Sequence, residues 1–354
     1  MDAADEAQQV ERRHWLAPVV IGICALAVMF TVAATQGLPI RDPDARFVKS
    51  PLVLIVLILL GFLLLDVIPR AIRSRLSGEE RFGQASRRIF RSRWLNRRGL
   101  IVCACILGFY ATYLSYRNLK SFVPFVAGGN HDAGLFDFDR VLFLGHDPAT
   151  LLHSVLGTGI SAEVLSTAYV LFLSFVPISL GVALVWSSRV QVGVWYVTAL
   201  TINWMLGALS YYVIPSLGPV YTRPDMFSDL PYTKVTELQN TLMEHRTEVL
   251  ANPQGSDAVG SIAAFASLHI AVIATAAFVA HFAGAPRFLR IGLWIYLGLT
   301  GLATIYFGWH YVIDDIAGLA IAAVATYTAA ALTGFRRHPV DAVAQFAERR
   351  ARAT

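Results

Sequence analysis

Residues 261–333 read SIAAFASLHIAVIATAAFVAHFAGAPRFLRIGLWIYLGLTGLATIYFGWHYVIDDIAGLAIAAVATYTAAALT. Two apolar runs, 261–283 and 291–309, flank a short turn holding Pro286, Arg287 and Arg290, and a third run, 312–333, follows almost at once. About 20 mainly apolar residues suffice for a helix to cross the bilayer core. All three runs therefore read as membrane-spanning helices. Within or beside them stand His269, His310 and Asp314. A charged side chain near mid-membrane costs on the order of 2.5–3.5 kcal/mol on insertion scales, so such groups are functional candidates by default. The plainer reading puts them at the membrane surface, with Trp309 and Tyr311 in an aromatic belt. The two readings are compatible.

The same texture recurs upstream at 15–35, 51–69, 99–117, 161–186 and 192–214. Of the 354 residues, 56% are hydrophobic and 15% charged, against about 25% charged in soluble domains. That balance excludes a soluble globular protein and a disordered chain, and three cysteines do not make a disulfide framework. The expected fold class is all-α: a polytopic membrane protein of about eight transmembrane helices. Arg12 and Arg13 precede the first run as they would in a signal peptide, but its apolar stretch exceeds the usual ~7–15 residues, so it is read as a span.

Cytoplasmic loops carry an excess of Lys and Arg. Eight crossings place twenty of the 29 basic residues on one side, ten of them arginines between Arg70 and Arg98, and nine on the other. Both termini are therefore expected in the cytoplasm, with the segments 118–160 and 215–260 outside. The 70–98 loop is read as a topology signal resting on anionic headgroups rather than a nucleic-acid site. The chain divides into residues 1–117 (tail, three spans and the basic loop), an external lid-like segment 118–160, a transmembrane core 161–335 and a basic tail 336–354. His131, Asp132, Asp137, Asp139, His146 and Asp147 lie in the lid-like segment, with neither a calcium-loop nor a zinc spacing. Asp66 lies four residues before Arg70, and pairing with it suffices to explain an acid in that run.

His269 and His310 are separated by one span in, a basic turn and one span back, so both return to the external face. His310 and Asp314 are spaced i, i+4 and share a helix face if the helix begins by His310. A carboxylate there can accept from one imidazole nitrogen and leave the other lone pair free to attack. His269 can then hold the proton for a leaving oxygen. If the target is phosphate, cationic or N–H donors must meet its oxygens. Arg223, Ser267 with the backbone N–H groups of a helix starting there, and Lys234 are the candidates.

These residues resemble the type-two phosphatidic acid phosphatase superfamily of membrane lipid phosphatases and phosphotransferases. Its pattern is a Lys/Arg-Pro motif, then Pro-Ser-Gly-His, then Ser-Arg with a later His-x-x-x-Asp. Arg223-Pro224 looks like the end of the first motif, Ser267-Leu268-His269 like the second and His310-x-x-x-Asp314 like the third, in the right order within 192–333. The resemblance implies a helical-bundle core, His310 as the nucleophile forming a phosphohistidine, Asp314 as its orienting carboxylate, His269 as general acid, and no metal or other cofactor.

Three positions depart from the pattern. Ser216 stands where a lysine is expected, Ala266 replaces the proline before Ser267, and Ala303-Thr304 replaces the Ser-Arg pair. Ser-Leu-His and the run 305–314, IYFGWHYVID, look more like the inositol phosphorylceramide synthase branch, whose members move a phosphorylated headgroup between lipids. Fewer phosphate-binding cations also suit a phosphodiester, which carries less charge. The resemblance implies transfer of an inositol-phosphate-like headgroup from a lipid phosphodiester donor to an alcohol acceptor. Hydrolysis of a lipid phosphate or polyprenyl (pyro)phosphate is the alternative within the enzyme class. Phospholipid transport or flipping without covalent chemistry is the alternative of another class. Partners are membrane lipids and not nucleic acid.

Overall fold

A computed structural model describes residues 14–43, 51–187, 189–256, 258–260 and 262–335, and among these it contains thirteen α-helices and no strand. They are α1 (Ala17–Gln36), α2 (Pro51–Leu76), α3 (Phe82–Arg93), α4 (Arg97–Val126), α5 (Asp132–Leu142), α6 (Pro148–Leu156), α7 (Ile160–Leu180), α8 (Val190–Val213), α9 (Pro219–Thr222), α10 (Lys234–Ala251), α11 (Leu268–Phe282), α12 (Arg287–Tyr306) and α13 (Val312–Thr333). The chain is an all-helical polytopic membrane protein.

Seven helices are long and apolar enough to cross a membrane, and they coincide with seven of the eight expected runs. The run at 261–283 differs: its helix, α11, has only 15 residues. The chain before it, through Ala264, Phe265 and Ala266, is held by the last turn of α8 and the loop after it instead of by helical hydrogen bonds. Ala264 N–H donates to the Ser216 carbonyl (3.0 Å), Phe265 N–H to the Ser216 hydroxyl (3.0 Å) and Ala266 N–H to the Ser210 hydroxyl (2.9 Å). Non-helical backbone in an apolar setting is tolerated where protein surrounds it and satisfies its polar groups. Ala263, Ala264 and Ala266 are accordingly buried. α11 itself is enclosed by α8, α12 and α13, with most of its residues buried, so it need not span a lipid-facing length.

Close helix contacts rest on small residues. A Cβ on Gly108 of α4 would stand 2.5 Å from the Pro18 carbonyl oxygen of α1, so only glycine permits that approach. Two further departures lengthen expected spans. α2 continues past Pro69 to include Arg73 and Arg75, and α4 runs on to Val126, carrying Lys120 in its last turns.

The bundle has two chemically distinct ends. At one, Asp66 is buried and receives Arg70, Arg93 (2.8 Å) and the Trp94 indole N–H (3.1 Å), which extends the expected Asp66–Arg70 pair into a cluster. Arg98 reaches the carbonyls of Leu184, Val185 and Ser187 at this end, and His14 lies 2.9 Å from the Leu332 carbonyl. The other end carries the α8–α9 loop, the start of α11, the α12–α13 turn and α5. His269, His310 and Asp314 are there.

Candidate functional site

The α12–α13 turn places His310. Gly308 adopts φ 66°, a left-handed conformation open to glycine at little cost, and the chain folds back so that the N–H of Trp309 donates to the Thr304 carbonyl (2.9 Å). His310 follows outside the helices, and α13 begins at Val312. His269 stands in the first turn of α11. Nδ1 of His269 is 3.3 Å from Nε2 of His310, while Nδ1 of His310 is 3.5 Å from Oδ2 of Asp314. Asp314 Oδ2 also accepts the Tyr311 N–H at 2.9 Å, which fixes the carboxylate against the start of its own helix. The sequence spacing is thus realised as a line of side chains, His269, His310, Asp314, with each ring nitrogen of His310 facing a different partner.

An aromatic wall encloses the pair. The rings of Tyr169 and Phe172, on α7, lie 4.8 and 4.5 Å from that of His269, and Tyr169 stacks on Trp309 at 5.3 Å. His310 is 5% exposed. Burial, reinforced by the charge of Lys120, drives its imidazole down from 6.5 to about 3, against an opposing contribution from the Ala264 backbone. His310 is therefore neutral at physiological pH, with one nitrogen lone pair available.

α13 is joined to α11 by backbone. Ser267 N–H donates to the Asp314 carbonyl at 3.0 Å. Gly318 lies so close that an added Cβ would be 2.3 Å from the Ser267 oxygen. Ser267 is the N-cap of α11, so a helix does start there, but its own N–H is committed to Asp314 and its side chain is fully buried. The N–H groups of Leu268 and His269, in the first turn, keep the helix-terminal character that suits an anion.

The remaining phosphate candidates are placed less centrally. Arg223 is exposed, with its guanidinium 3.8 Å from the Phe136 ring of α5. Its loop nevertheless packs on the turn that carries His310, through Val220 N–H to the Gly308 carbonyl at 2.9 Å. Lys234 is exposed in the first turn of α10, away from the hydrogen bonds and ion pairs that join the described residues of the histidine pair. Ser216 binds the 264–265 backbone as described above, and Thr304 donates to Asp315 Oδ2 at 2.9 Å. Two of the positions that depart from the family pattern, Ser216 and Thr304, thus carry hydroxyls with local structural partners.

Three residues of this end escaped assignment from sequence. Asp132 accepts the N–H groups of Leu217 and Gly218 (both 2.8 Å) and the Tyr311 hydroxyl (3.0 Å). Asp139 accepts those of Val312 (2.6 Å) and Ile313 (3.1 Å). Burial pushes the Asp139 carboxyl up while those two N–H groups pull it back. The signal was present: two acids seven residues apart share one face of a short helix. What metal-ligand spacing could not say is that both bind backbone. Lys120 is the third. Its ammonium stands 5.0 Å over the Tyr211 ring, and its charge acts on both histidines.

Comparison with known proteins agrees with this geometry. The PAP2 superfamily pattern matches residues 133–328, from α5 to near the end of α13. No curated protein and no solved structure matches the chain. The matched region covers more than half of the chain and contains His269, His310 and Asp314 in one connected site, and the chain therefore belongs to the PAP2 superfamily, whose members are membrane phosphatases and phosphotransferases, and is an enzyme of that class.

Proposed function

We propose that the protein transfers a phosphorylated headgroup, inositol-phosphate-like in size and charge, from a lipid phosphodiester to the alcohol of an acceptor lipid, through a phosphohistidine on His310. The observation that supports this reading is the division of the His310 ring: Nδ1 faces Asp314 and Nε2 faces Nδ1 of His269. With a proton on Nδ1 toward the carboxylate, Nε2 carries the lone pair that attacks phosphorus. As the N–P bond forms, the P–O bond to the departing alcohol breaks and that oxygen takes the proton from Nδ1 of the His269 imidazolium, which is left neutral. The acceptor alcohol then attacks phosphorus, returns its proton to His269, and the N–P electrons go back to Nε2. A phosphoryl group does not fit between nitrogens 3.3 Å apart, so binding must part the rings.

The site is assigned to the external face, with both termini in the cytoplasm, because the opposite end of the bundle gathers Arg70, Arg93 and Arg98 and the long basic segment. A site at the ends of apolar helices lets the lipid tails stay in hydrocarbon while the phosphate meets donors. α5 and α6 cover this end as a lid-like segment.

Incubating purified protein with a total membrane lipid extract, with His310→Ala alongside, tests the reading by mass spectrometry and phosphate release. A new phosphodiester lipid with little free phosphate, in the wild type alone, is the expected result. Free phosphate with loss of a monoester or pyrophosphate lipid makes the enzyme a hydrolase at the same histidine. No His310-dependent change across donors and acceptors overturns the covalent reading in favour of lipid movement.

A further inference from the structure

Lys120 sits near the end of a membrane-spanning helix. Among the described residues its ammonium makes no hydrogen bond and no ion pair, and its contact is the Tyr211 ring face at 5.0 Å. Tyr211 is fully buried, packs with Ala263 and Leu268, and exchanges a hydroxyl contact of 3.2 Å with Tyr116. Those two residues flank the non-helical chain before His269, and the charge of the ammonium acts on both His269 and His310.

Among the described residues no carboxylate forms an ion pair with it. Arg117, three residues earlier, adds a second cation and donates to the Tyr113 hydroxyl at 3.1 Å. Asp314 Oδ2 is committed to the Tyr311 N–H, and Asp132 and Asp139 are committed to backbone N–H groups and the Tyr311 hydroxyl. A half-buried ammonium left unpaired is costly in an apolar setting. A cation–π contact restores part of that cost and fixes the position of the head. What remains is an ammonium with all three donors free among the described residues, beside the His269–His310 pair, in a site that handles phosphate. Lysine binds phosphate as a point charge, without the fixed fork of arginine, which suits an oxygen arrangement that changes during the reaction.

We propose that Lys120 binds the non-bridging phosphate oxygens of the lipid substrate at His310, so that the site is completed by a helix lying outside the residues matched by the family pattern. This rests on His310 being the phosphoryl acceptor. The same ammonium neutralises charge building on phosphorus and holds His310 unprotonated before attack.

The test uses the full-length protein in phosphatidylcholine vesicles containing the lipid donor found by the extract experiment, with Lys120→Met, Lys120→Arg and His310→Gln. Lys120→Met is expected to lower kcat/KM about 100-fold, with Lys120→Arg recovering most of it. It is also expected to move the acid limb of kcat/KM to higher pH, a change that simple loss of packing does not produce. On wild-type and His310→Gln protein, orthovanadate is expected to shield Lys120 from reductive methylation, read by peptide mass spectrometry. That arm needs no Lys120 variant to fold. Turnover that depends on His310 but changes less than twofold in Lys120→Met, or a Lys120 methylated equally with and without vanadate, overturns the proposal and leaves the phosphohistidine reading standing. Turnover indifferent to His310→Gln overturns that reading first.

Discussion

The carboxylate of Asp139 caps α13 at Val312, accepting that N–H at 2.6 Å and the next, of Ile313, at 3.1 Å. An acid outside the helix thus does what a side-chain N-cap and a favourable charge at the helix N-terminus do together. Because Asp314 lies within that first turn, the contact sets the position of the residue that faces His310. Asp139→Ala is expected to cost about 1–2 kcal/mol of stability and to reduce turnover further than the fall in melting temperature explains. Thermal unfolding in detergent, beside turnover at a temperature where both proteins are folded, measures the two effects. Unchanged turnover would show that α13 holds its register without α5.

His269 is proposed to protonate the leaving oxygen, so its importance depends on the leaving group. With a lipid alcohol leaving, His269→Ala is expected to slow turnover by about 10²–10⁴-fold. With a p-nitrophenyl phosphate ester, whose phenolate leaves unprotonated, most of that loss disappears, whereas His310→Ala remains inactive on both. Equal losses on the two substrates would remove the acid role.

Burial holds His310 at about 3 in the folded protein against 6.5 for the free side chain. Between those values the unfolded chain binds the proton and the folded chain does not, so stability is full above about 6.5 and declines as pH falls toward 3. Melting temperature is expected to drop between pH 7 and pH 4 more steeply in the wild type than in His310→Gln, in the same detergent. Parallel curves would mean that another group controls the acid side.

Gly318 permits α13 to approach Ser267, where a Cβ would stand 2.3 Å from the carbonyl oxygen. Gly318→Ala is expected to push the helices apart, at about 1–3 kcal/mol for overpacking, and to weaken the Ser267 N–H to Asp314 carbonyl bond. Melting temperature and kcat/KM fall together in that case. An alanine variant as stable and active as the wild type would mean that α13 shifts freely.

Much of this molecule is legible along the chain because the dominant constraint is local. A backbone in hydrocarbon must satisfy its own hydrogen bonds, so an apolar run of sufficient length is a helix wherever it goes. Seven runs obey that rule. The spacing of His310 and Asp314 and the order of Arg223, Ser267, His269 and His310 were legible for the same reason, since each depends on position within or between helices. The run at 261–283 broke the rule because Ser210 and Ser216, fifty or so residues away, supply the hydrogen bonds that its first residues would otherwise make within a helix. Composition does not encode such partners. Asp132 and Asp139 looked like ligands or a lid surface, and only the folded chain brings Gly218 and Val312 to their oxygens. Lys120 was one of nine cations on its side in the sequence, and packing of α4 against α8 set it over Tyr211. The sequence by itself determined seven of the spans, their order and the three residues proposed for the chemistry, because periodicity and apolar length act within a segment. Tertiary structure alone decided which nitrogen faces which partner and which charges surround them, because those depend on contacts between segments far apart in the chain.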